Sequence, residues 1–597
     1  MSLDEADIHE MTGLDAAFLY LETPTSPMHV GGLSVFDGSL SFDACRQLLL
    51  DRLHLVHVLT RKLVHMPLEL DKPVWVDDPN FNIDWHLHHT ALPQPGDWKQ
   101  LRRLCSRVFS QPLDRSRPLW EMVFVEGLDQ IPQIPPGSVA IINKIHHACI
   151  DGMSGSDIMG MLFDLSPEVR TFPKPPPAKH RTPPSALDLL VHSATNLMQR
   201  PKKLPGLLAD ALTAVGKASA LAKASPDTPM TLPFQAPPTL LNRPITSNRT
   251  WNVALLELPR IKRLKRLMQC TVNDVVLAIC SGALRSYLNT HQNLPDEPLV
   301  AMVPVSTRTS AERNTMGNQV SAMFIELATD IADPIDRLKR VHHNSSIGKT
   351  YQGAVKAKRL MQATEFVPFG LATQAARAYS RSQFAGRHRP AFNCVITNVP
   401  GPQIPLYLSG SQLLAQMGSA PILDGMGLMI VVTSYNGVLS ISPTSCPDVM
   451  ADLDVFTKLI REAANELEAA IDALGLTEDG PELDKGAVAA VFETASTQLA
   501  KIDLSKLPAR GVFVIEVSGN QAQNWTLSID ESQKSLQMGA AAEPRCVMKM
   551  REQDFLDLSS GRLTGPAAFM SGKLRVEGDI RAAVSLGKTF ALLAGAK

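Results

Sequence analysis

Residues 143–157 read NKIHHACIDGMSGSD. His146 and His147 are adjacent, Asp151 follows the second histidine by four positions, and Gly152 comes next. This stretch could be a metal site, a catalytic base on a tight loop, or a polar turn between a strand and a helix. If both histidines end a strand, their side chains leave on opposite faces and cannot share one ion. His147 with Asp151 supplies only two ligands, and no third donor stands nearby at a familiar spacing, so no metal is expected. Ser154 lacks the G-x-S-x-G frame of a nucleophile elbow, and GKT at 348–350 has His343 where a phosphate-binding loop needs glycine. Two readings remain. One is a histidine general base at a strand end, with Gly152 permitting unusual dihedrals and Asp151 anchoring the loop. The other is a capping polar turn. The pair His342 and His343 lacks the following aspartate and glycine, and is expected on a helix surface.

Such a motif needs a frame. ACRQLLLDRLHLV has helical apolar spacing, PLWEMVFVEGL and SVAIINKIHH read as strands, and SDIMGMLFDL returns to a helical period. Residues 1–170 therefore form an α/β unit. Repeated proline in TFPKPPPAKHRTPP, residues 171–184, excludes a helix interior and a central strand, so it reads as a linker. Leu187, Leu190, Val191, Ala194, Leu197 and Met198 then make an amphipathic stripe, followed by helix-like LLADALTAVGKASALAKA. Segment 171–247 is thus a proline-rich linker and helical insertion, packing on the body or touching a membrane or lipid-droplet surface. From 248 to 475 the α/β pattern resumes, with helix-like TVNDVVLAICSGALRSYL and strand-like PLVAMVPVST. Residues 484–597 differ: helical AVAAVFETASTQLAKI, then short strands GVFVIEVSG, NWTLSID, SLQMGA and RCVMKM, then helical QDFLDLSSG, the pattern of a small α+β domain.

Composition narrows the partners. A chain of 597 residues exceeds one core and suggests three or four compact units. Lys+Arg of 58 against Asp+Glu of 59 gives a net charge of -1, without the positive field that nucleic-acid binding needs. The 8 cysteines are scattered and read as small buried hydrophobes in a reducing compartment. MSLDEADIHEMTGLD lacks the basic start and apolar run of a secretory signal, and no stretch has the ~20 apolar residues of a spanning helix. A cytoplasmic location is expected, or a peripheral one at the inner membrane or lipid droplets.

HHACIDG resembles the H-H-x-x-x-D-G signature of CoA-dependent acyltransferases. Its neighbours are LDAAFLYLETPTSPMHVGGL at 14–33, PLDRSRPLWE at 112–121, VNDVVLAICSGALRSYL at 272–288, VPVSTR at 303–308 and GNQVSAM at 317–323. Together they resemble the bacterial wax ester synthase/diacylglycerol acyltransferase family across roughly residues 10–470. The tail, with DFLDLSSGRLTGPAAFMSGKLRVEGDI, resembles the sterol carrier protein 2 lipid-binding domain, an appendage that the usual family architecture lacks. The resemblance implies two chloramphenicol acetyltransferase-like α/β subdomains side by side plus a small α+β sterol carrier-like domain. It also implies transfer of a long-chain acyl group from acyl-CoA, a co-substrate with no permanently bound cofactor, to diacylglycerol or a fatty alcohol.

An alcohol attacks a thioester only as a base removes its proton, an effect of about 10²–10⁴ in rate. By resemblance His147 inherits that role and His146 is structural. Coenzyme A is a good leaving thiolate, so direct transfer in a ternary complex suffices. By resemblance Asn273 donates to the oxyanion; read by itself it could equally cap the helix that follows. Asp151 is expected to pair with an arginine that shapes the loop, Arg61 and Arg308 both being candidates. Pro118 and Trp120 of PLW are expected to pack. Two other classes stay open: a lipid carrier with a vestigial acyltransferase body, and a condensation-type enzyme taking acyl groups from carrier proteins.

Overall fold

A computed structural model describes residues 8–67, 71–149, 155–173, 189, 234–306, 320–352, 388–476 and most of 487–589. The chain divides into two compact units. One comprises Met1–Val399, Pro405–Thr433 and Val438–Leu476; the other comprises Pro400–Ile404, Ser434–Gly437 and Thr477–Lys597.

In the first unit, β1 (His9–Glu10) leads into α1 (Gly13–Leu21), which starts where the Thr12 side chain accepts the Asp15 N–H. β2 (His29–Phe36), α2 (Phe42–Arg52), β3 (Arg61–Val64), β4 (Val74–Asp77) and β5 (Leu87–Ala91) follow. α3 (Trp98–Ser110) is fixed by a capping box between Asp97 and Gln100, and buries Leu101, Cys105, Val108 and Phe109 at helical spacing. β6 (Trp120–Glu126), β7 (Val139–His146) and α4 (Gly155–Leu162) lie where strand, strand and helix are expected from the sequence. The stripe at 187–198 and the helix-like run after it fall outside the described residues, apart from Leu189, which is buried.

The second half continues with β8 (Thr250–Trp251), β9 (Ala254–Glu257), α5 (Leu258–Leu267), α6 (Val272–Thr290), β10 (Val300–Ser306), β11 (Val320–Glu326) and α7 (Pro334–Gln352). β12 (Cys394–Pro400), β13 (Tyr407–Leu408), β14 (Ser411–Ser419), β15 (Leu428–Tyr435), β16 (Val438–Ser445) and α8 (Leu453–Asp472) complete it. α5 and α6 together are apolar enough to pass for a bent membrane span, at 102°, yet α6 buries Val275 to Leu284 inside the protein as a core helix. No single described helix is long and apolar enough to cross a membrane.

Two sheets organise this unit. One has the order β13-β14-β2-β7-β6-β5, and the other β11-β10-β12-β15-β16-β8 with β9 also on β16. The chain leaves the second sheet after β12, adds β13 and β14 to the first, and returns as β15. β14 runs antiparallel to β2, with Met417 opposite Leu33 and Gly418 opposite Gly32. Across the gap, the Gln416 carbonyl accepts the Ser440 hydroxyl at 2.9 Å, and Trp251 Nε1 donates to the Gly418 carbonyl at 2.9 Å. β2 is wedged between β14 and β7 so closely that a Cβ on Gly31 would lie 2.1 Å from the Asn143 oxygen, and one on Gly32 2.1 Å from the Met417 oxygen. Only glycine fits there.

The tail unit has α9 (Ala487–Lys501), β17 (Gly511–Ser518), β18 (Gln523–Ile529), β19 (Lys534–Met538), β20 (Cys546–Arg551), α10 (Glu552–Ser559), α11 (Gly565–Met570) and β21 (Leu574–Gly578). Its sheet has the order β19-β18-β17-β20-β21, with β17 and β20 parallel. Phe492 of α9 stacks between Trp525 and Phe555, with centroids 4.6 and 4.7 Å away. This aromatic column joins the helices to the sheet.

A buried ion pair holds the end of α4. Arg52 Nη2 lies 2.7 Å from Asp164 Oδ2, with both side chains 1% exposed. Arg52 Nη1 also donates to the Leu162 carbonyl at 2.6 Å, and Arg170 Nε reaches Asp164 Oδ1 at 2.5 Å. Removing one partner of such a pair strands a buried charge and costs about 3–5 kcal/mol, against about 0–1 for an exposed pair such as Arg46–Asp84. Asp164→Asn should therefore lower the urea midpoint strongly and Asp84→Asn hardly at all, as tryptophan fluorescence unfolding would record.

Candidate active site

β7 ends at His146, and His147 opens a short 3-10 turn, His147–Cys149. Strand alternation thus stops one residue earlier than expected. Instead of leaving on opposite faces of one strand, the His147 ring meets α1 and the His146 ring faces Glu22, the residue that caps the C-terminal end of α1. His147 stacks on Phe18 with ring centroids 3.7 Å apart and planes 15° from parallel. His146 points Nε2 at the Glu22 carboxylate, 3.7 Å away, while its Nδ1 accepts the Ala148 N–H at 3.1 Å. The backbone is equally fixed: His147 N–H donates to the Met28 carbonyl at 2.8 Å and His146 N–H to that of Leu119 at 2.9 Å. His147 stays half-buried, whereas His146 is enclosed.

Glu22 stands beside His146. It accepts Arg115 Nε at 2.6 Å and the Met28 N–H at 3.2 Å. Burial pushes the Glu22 carboxyl up, but the bond and charge of His146, the charge of Arg115 and the Met28 N–H outweigh it and bring the carboxyl down to about 2. The loop from Thr23 to Pro27 is further held by Arg249, whose Nη2 donates to the Thr25 carbonyl at 2.5 Å.

Opposite His146 in the sheet stands His29, whose Nε2 donates to the Phe109 carbonyl at 3.1 Å. Lys144 Nζ donates to the carbonyls of Val108 and Gln111 at 3.2 and 3.0 Å and reaches Glu121 at 2.8 Å. Together they donate to the carbonyls at the C-terminus of α3, Lys144 as the cation favoured at that end. Burial lowers the Lys144 ammonium despite Glu121, and burial, helped by the charges of Lys144 and His146, drives His29 down to about 3.

Asp151 and Gly152 fall outside the described residues, between the turn at His147–Cys149 and the anchored end of α4. Arg308 does as well. Arg61, offered as a partner for Asp151, engages Asp77 at 3.1 Å. Trp120 packs as expected: it is buried, stacks on His86 and donates Nε1 to the Leu59 carbonyl at 2.7 Å.

Asn273 is not the cap of α6. Thr271 caps it in a capping box with Asp274, which leaves the Asn273 side chain free of that duty. Asn398 of β12 donates Nδ2 to Asn273 Oδ1 at 3.5 Å, a contact that turns the Asn273 Nδ2 donor away from Asn398. Asn273 thus belongs by its contacts to the second sheet, whereas both motif histidines belong to the first.

The comparison pair lies on the surface of α7 as expected, yet one member also has a buried partner. His343 is exposed, but His342 Nδ1 lies 2.7 Å from the fully buried Asp274, whose other oxygen accepts Ser345 Oγ at 2.5 Å. Burial would raise the Asp274 carboxyl, yet the bonds from Ser345, His342 and Thr271 hold it below its usual range. All eight cysteines are buried free thiols, and burial pushes Cys149, beside the motif, well up, so it offers no thiolate nucleophile. Phe18, Glu22, Met28 and Arg115 escaped the sequence reading. They stand inside two of the quoted blocks, but nothing in spacing links Glu22 to Arg115, 93 positions away.

The site is thus a half-buried histidine just past the end of a central strand, in a two-sheet α/β body knit by an exchanged strand. The wax ester synthase/diacylglycerol acyltransferase catalytic domain matches residues 11–276, the C-terminal domain of the same family matches 316–468, and the SCP-2 sterol transfer family matches 492–591. A Mycobacterium tuberculosis relative named as a diacylglycerol O-acyltransferase is 34% identical over 80% of this chain and 92% of its own length. A Mycobacterium bovis relative so named is 32% identical over 76% and 98%. The solved wax ester synthase/diacylglycerol acyltransferase from Marinobacter aquaeolei VT8 superposes with a TM-score of 0.55 at 25% identity, covering 78% of this chain and all of that one. The chain belongs to the wax ester synthase/diacylglycerol acyltransferase family and carries a sterol carrier-type domain at its C-terminal end.

Acid should attack the site's foundation in two steps. His29, lowered in the fold from 6.5 to about 3, gives the unfolded chain the greater proton affinity, so stability falls as pH drops below 6.5. Glu22, lowered from 4.5 to about 2, adds a second loss between those values, of roughly 3 kcal/mol when complete. Urea unfolding at a series of pH values should show both; Glu22→Gln should be less stable at pH 7 and lack the lower step.

Proposed function

We propose that this protein transfers a long-chain acyl group from acyl-CoA to the hydroxyl of diacylglycerol or a fatty alcohol, with triacylglycerol synthesis the preferred reading. The observation that carries it is His147: half-buried at the end of a central strand, held by backbone and ring contacts, within the segment that matches the catalytic domain. His147 takes the acceptor's proton as its oxygen attacks the thioester carbon. The tetrahedral oxyanion is met by the amide of Asn273, worth about 10²–10³ in turnover for a placed donor. Collapse expels the coenzyme A thiolate, which recovers the proton from the imidazolium. His146 is a support, bound to Glu22; Asp151 and Gly152 shape the loop between the anchored ends.

In this reading residues 1–170 and 248–475 are the two acyltransferase subdomains, 171–247 is the linker and insertion, and 484–597 holds an acyl chain or acyl-CoA and raises the local donor concentration. The enzyme works in the cytoplasm or at the surface of a membrane or lipid droplet.

Full-length protein given palmitoyl-CoA should release coenzyme A only when diacylglycerol or hexadecanol is present. His147→Ala should cut ester formation by about 10²–10⁴ while the unfolding midpoint holds. Near-normal turnover would refute the assignment, and transfer from an acyl carrier protein without transfer from acyl-CoA would favour a condensation-type donor. Competition between the two acceptors, read as relative kcat/KM, ranks them. Truncation after residue 476 should raise KM for palmitoyl-CoA several-fold with kcat retained, and should lose most binding of a fluorescent fatty acid; unchanged values for both would reject the delivery role and leave His147 untouched.

A further inference from the structure

The ring contact on His147 has an unusual geometry. Aromatic pairs settle offset or edge-to-face, with centroids 4.5–7 Å apart, because each ring presents a negative face and a positive edge. Phe18 and His147 instead lie almost parallel with centroids only 3.7 Å apart, so the two faces overlap with little offset. Two neutral rings gain little from that arrangement, since face meets face. An imidazolium gains much more, because a cation over an aromatic face is attracted by the ring's quadrupole. The contact therefore favours one protonation state of His147 over the other.

We propose that Phe18 is a positioning residue that acts through His147, stabilising the imidazolium that forms while the acceptor hydroxyl gives up its proton. The inference rests on the acyl-transfer reading above. Its chemistry is balanced: the acceptor oxygen bonds to the thioester carbon, its proton passes to His147, the carbon–sulfur bond breaks, and the departing thiolate takes that proton back. Positive charge on the ring exists only between those events, so an interaction that responds to it stabilises the transition state more than the bound substrates and raises kcat rather than lowering KM.

The surroundings suit the role. Phe18 stands on α1 between two fixed points, the cap at Thr12 and the ion-paired Glu22. Leu19 and Tyr20, which follow Phe18 on α1, are buried in the core and anchor that turn of the helix. Both Phe18 and His147 are half-buried, which partly shields a charge on the ring from bulk water. The nearby Glu22 carboxylate is engaged by His146 and Arg115, and the Phe18 face lies on the His147 ring.

The test varies the quadrupole without changing the shape. Full-length protein is prepared with phenylalanine, mono-, di-, tri- or pentafluorophenylalanine at position 18 and assayed with palmitoyl-CoA and diacylglycerol. Log kcat should fall steadily with fluorination, to about a tenfold loss at pentafluoro, with KM for both substrates and the thermal midpoint nearly constant. Phe18→Tyr should keep most of kcat and Phe18→Leu, which fills the space without a π face, should lose about as much as the pentafluoro variant. A flat kcat across the fluorinated series, or a fully active Phe18→Leu protein, would overturn the role while leaving acyl transfer in place. Absence of ester formation by the unsubstituted protein would overturn the acyl-transfer reading itself.

Discussion

The Glu22 carboxylate carries the site. It is almost wholly enclosed, where a charge is costly unless it is paired and hydrogen-bonded. It meets that demand with Arg115, His146 and the Met28 N–H at once. Each partner then constrains something else. Met28 offers its carbonyl to the His147 N–H, His146 is the last residue of β7, and Arg115 ties the segment after α3 to the end of α1. One ionised group thereby joins helix, loop and strand around the catalytic turn. Its loss would leave an arginine and a histidine facing each other without their shared counter-charge.

The strand that carries the histidines is held from its other side by β2, which can approach only because Gly31 and Gly32 have no side chains to collide with the Asn143 and Met417 carbonyls. β14, arriving from the second half of the chain with β13 outside it, pairs with β2 on that side of the first sheet. The exchange means that the two sheets cannot drift independently: the backbone that pairs with β2 continues directly into β15 of the other sheet. A reaction between two bound substrates needs its groups held to within fractions of an ångström. A strand exchanged between sheets is a stiffer connection than side-chain packing alone.

Buried basic groups play a quieter part. Lys144 and His29 spend their donors on the carbonyls that end α3, and Arg52 does the same for α4. A helix end facing the interior must satisfy its last carbonyls or lose their hydration without return. Here the donors come from strands and helices far away in the chain, so capping also fixes how each helix docks. The turn with His147 lies between two such docked helices.

Local chemistry was written in the sequence. HHACIDG with its neighbouring blocks indicated acyl transfer, and alternation and helical spacing placed β6, β7, α4, α6 and the tail's strands, while the cap of α6 proved to be Thr271 rather than Asn273. Those features depend on residues within a few positions of one another, and short-range sterics and hydrogen bonding decide them. Only the tertiary structure determined that β7 stops at His146, that His147 meets α1 and His146 the Glu22 that follows it, that Glu22 pairs with Arg115 across 93 positions, that His342 serves a buried Asp274, and that β14 belongs to the first sheet. These outcomes come from burying charges and closing sheet edges, where the partner is whichever residue the packed chain brings within a few ångströms. Sequence spacing cannot rank such partners, because desolvation and contact exist only once the interior has formed.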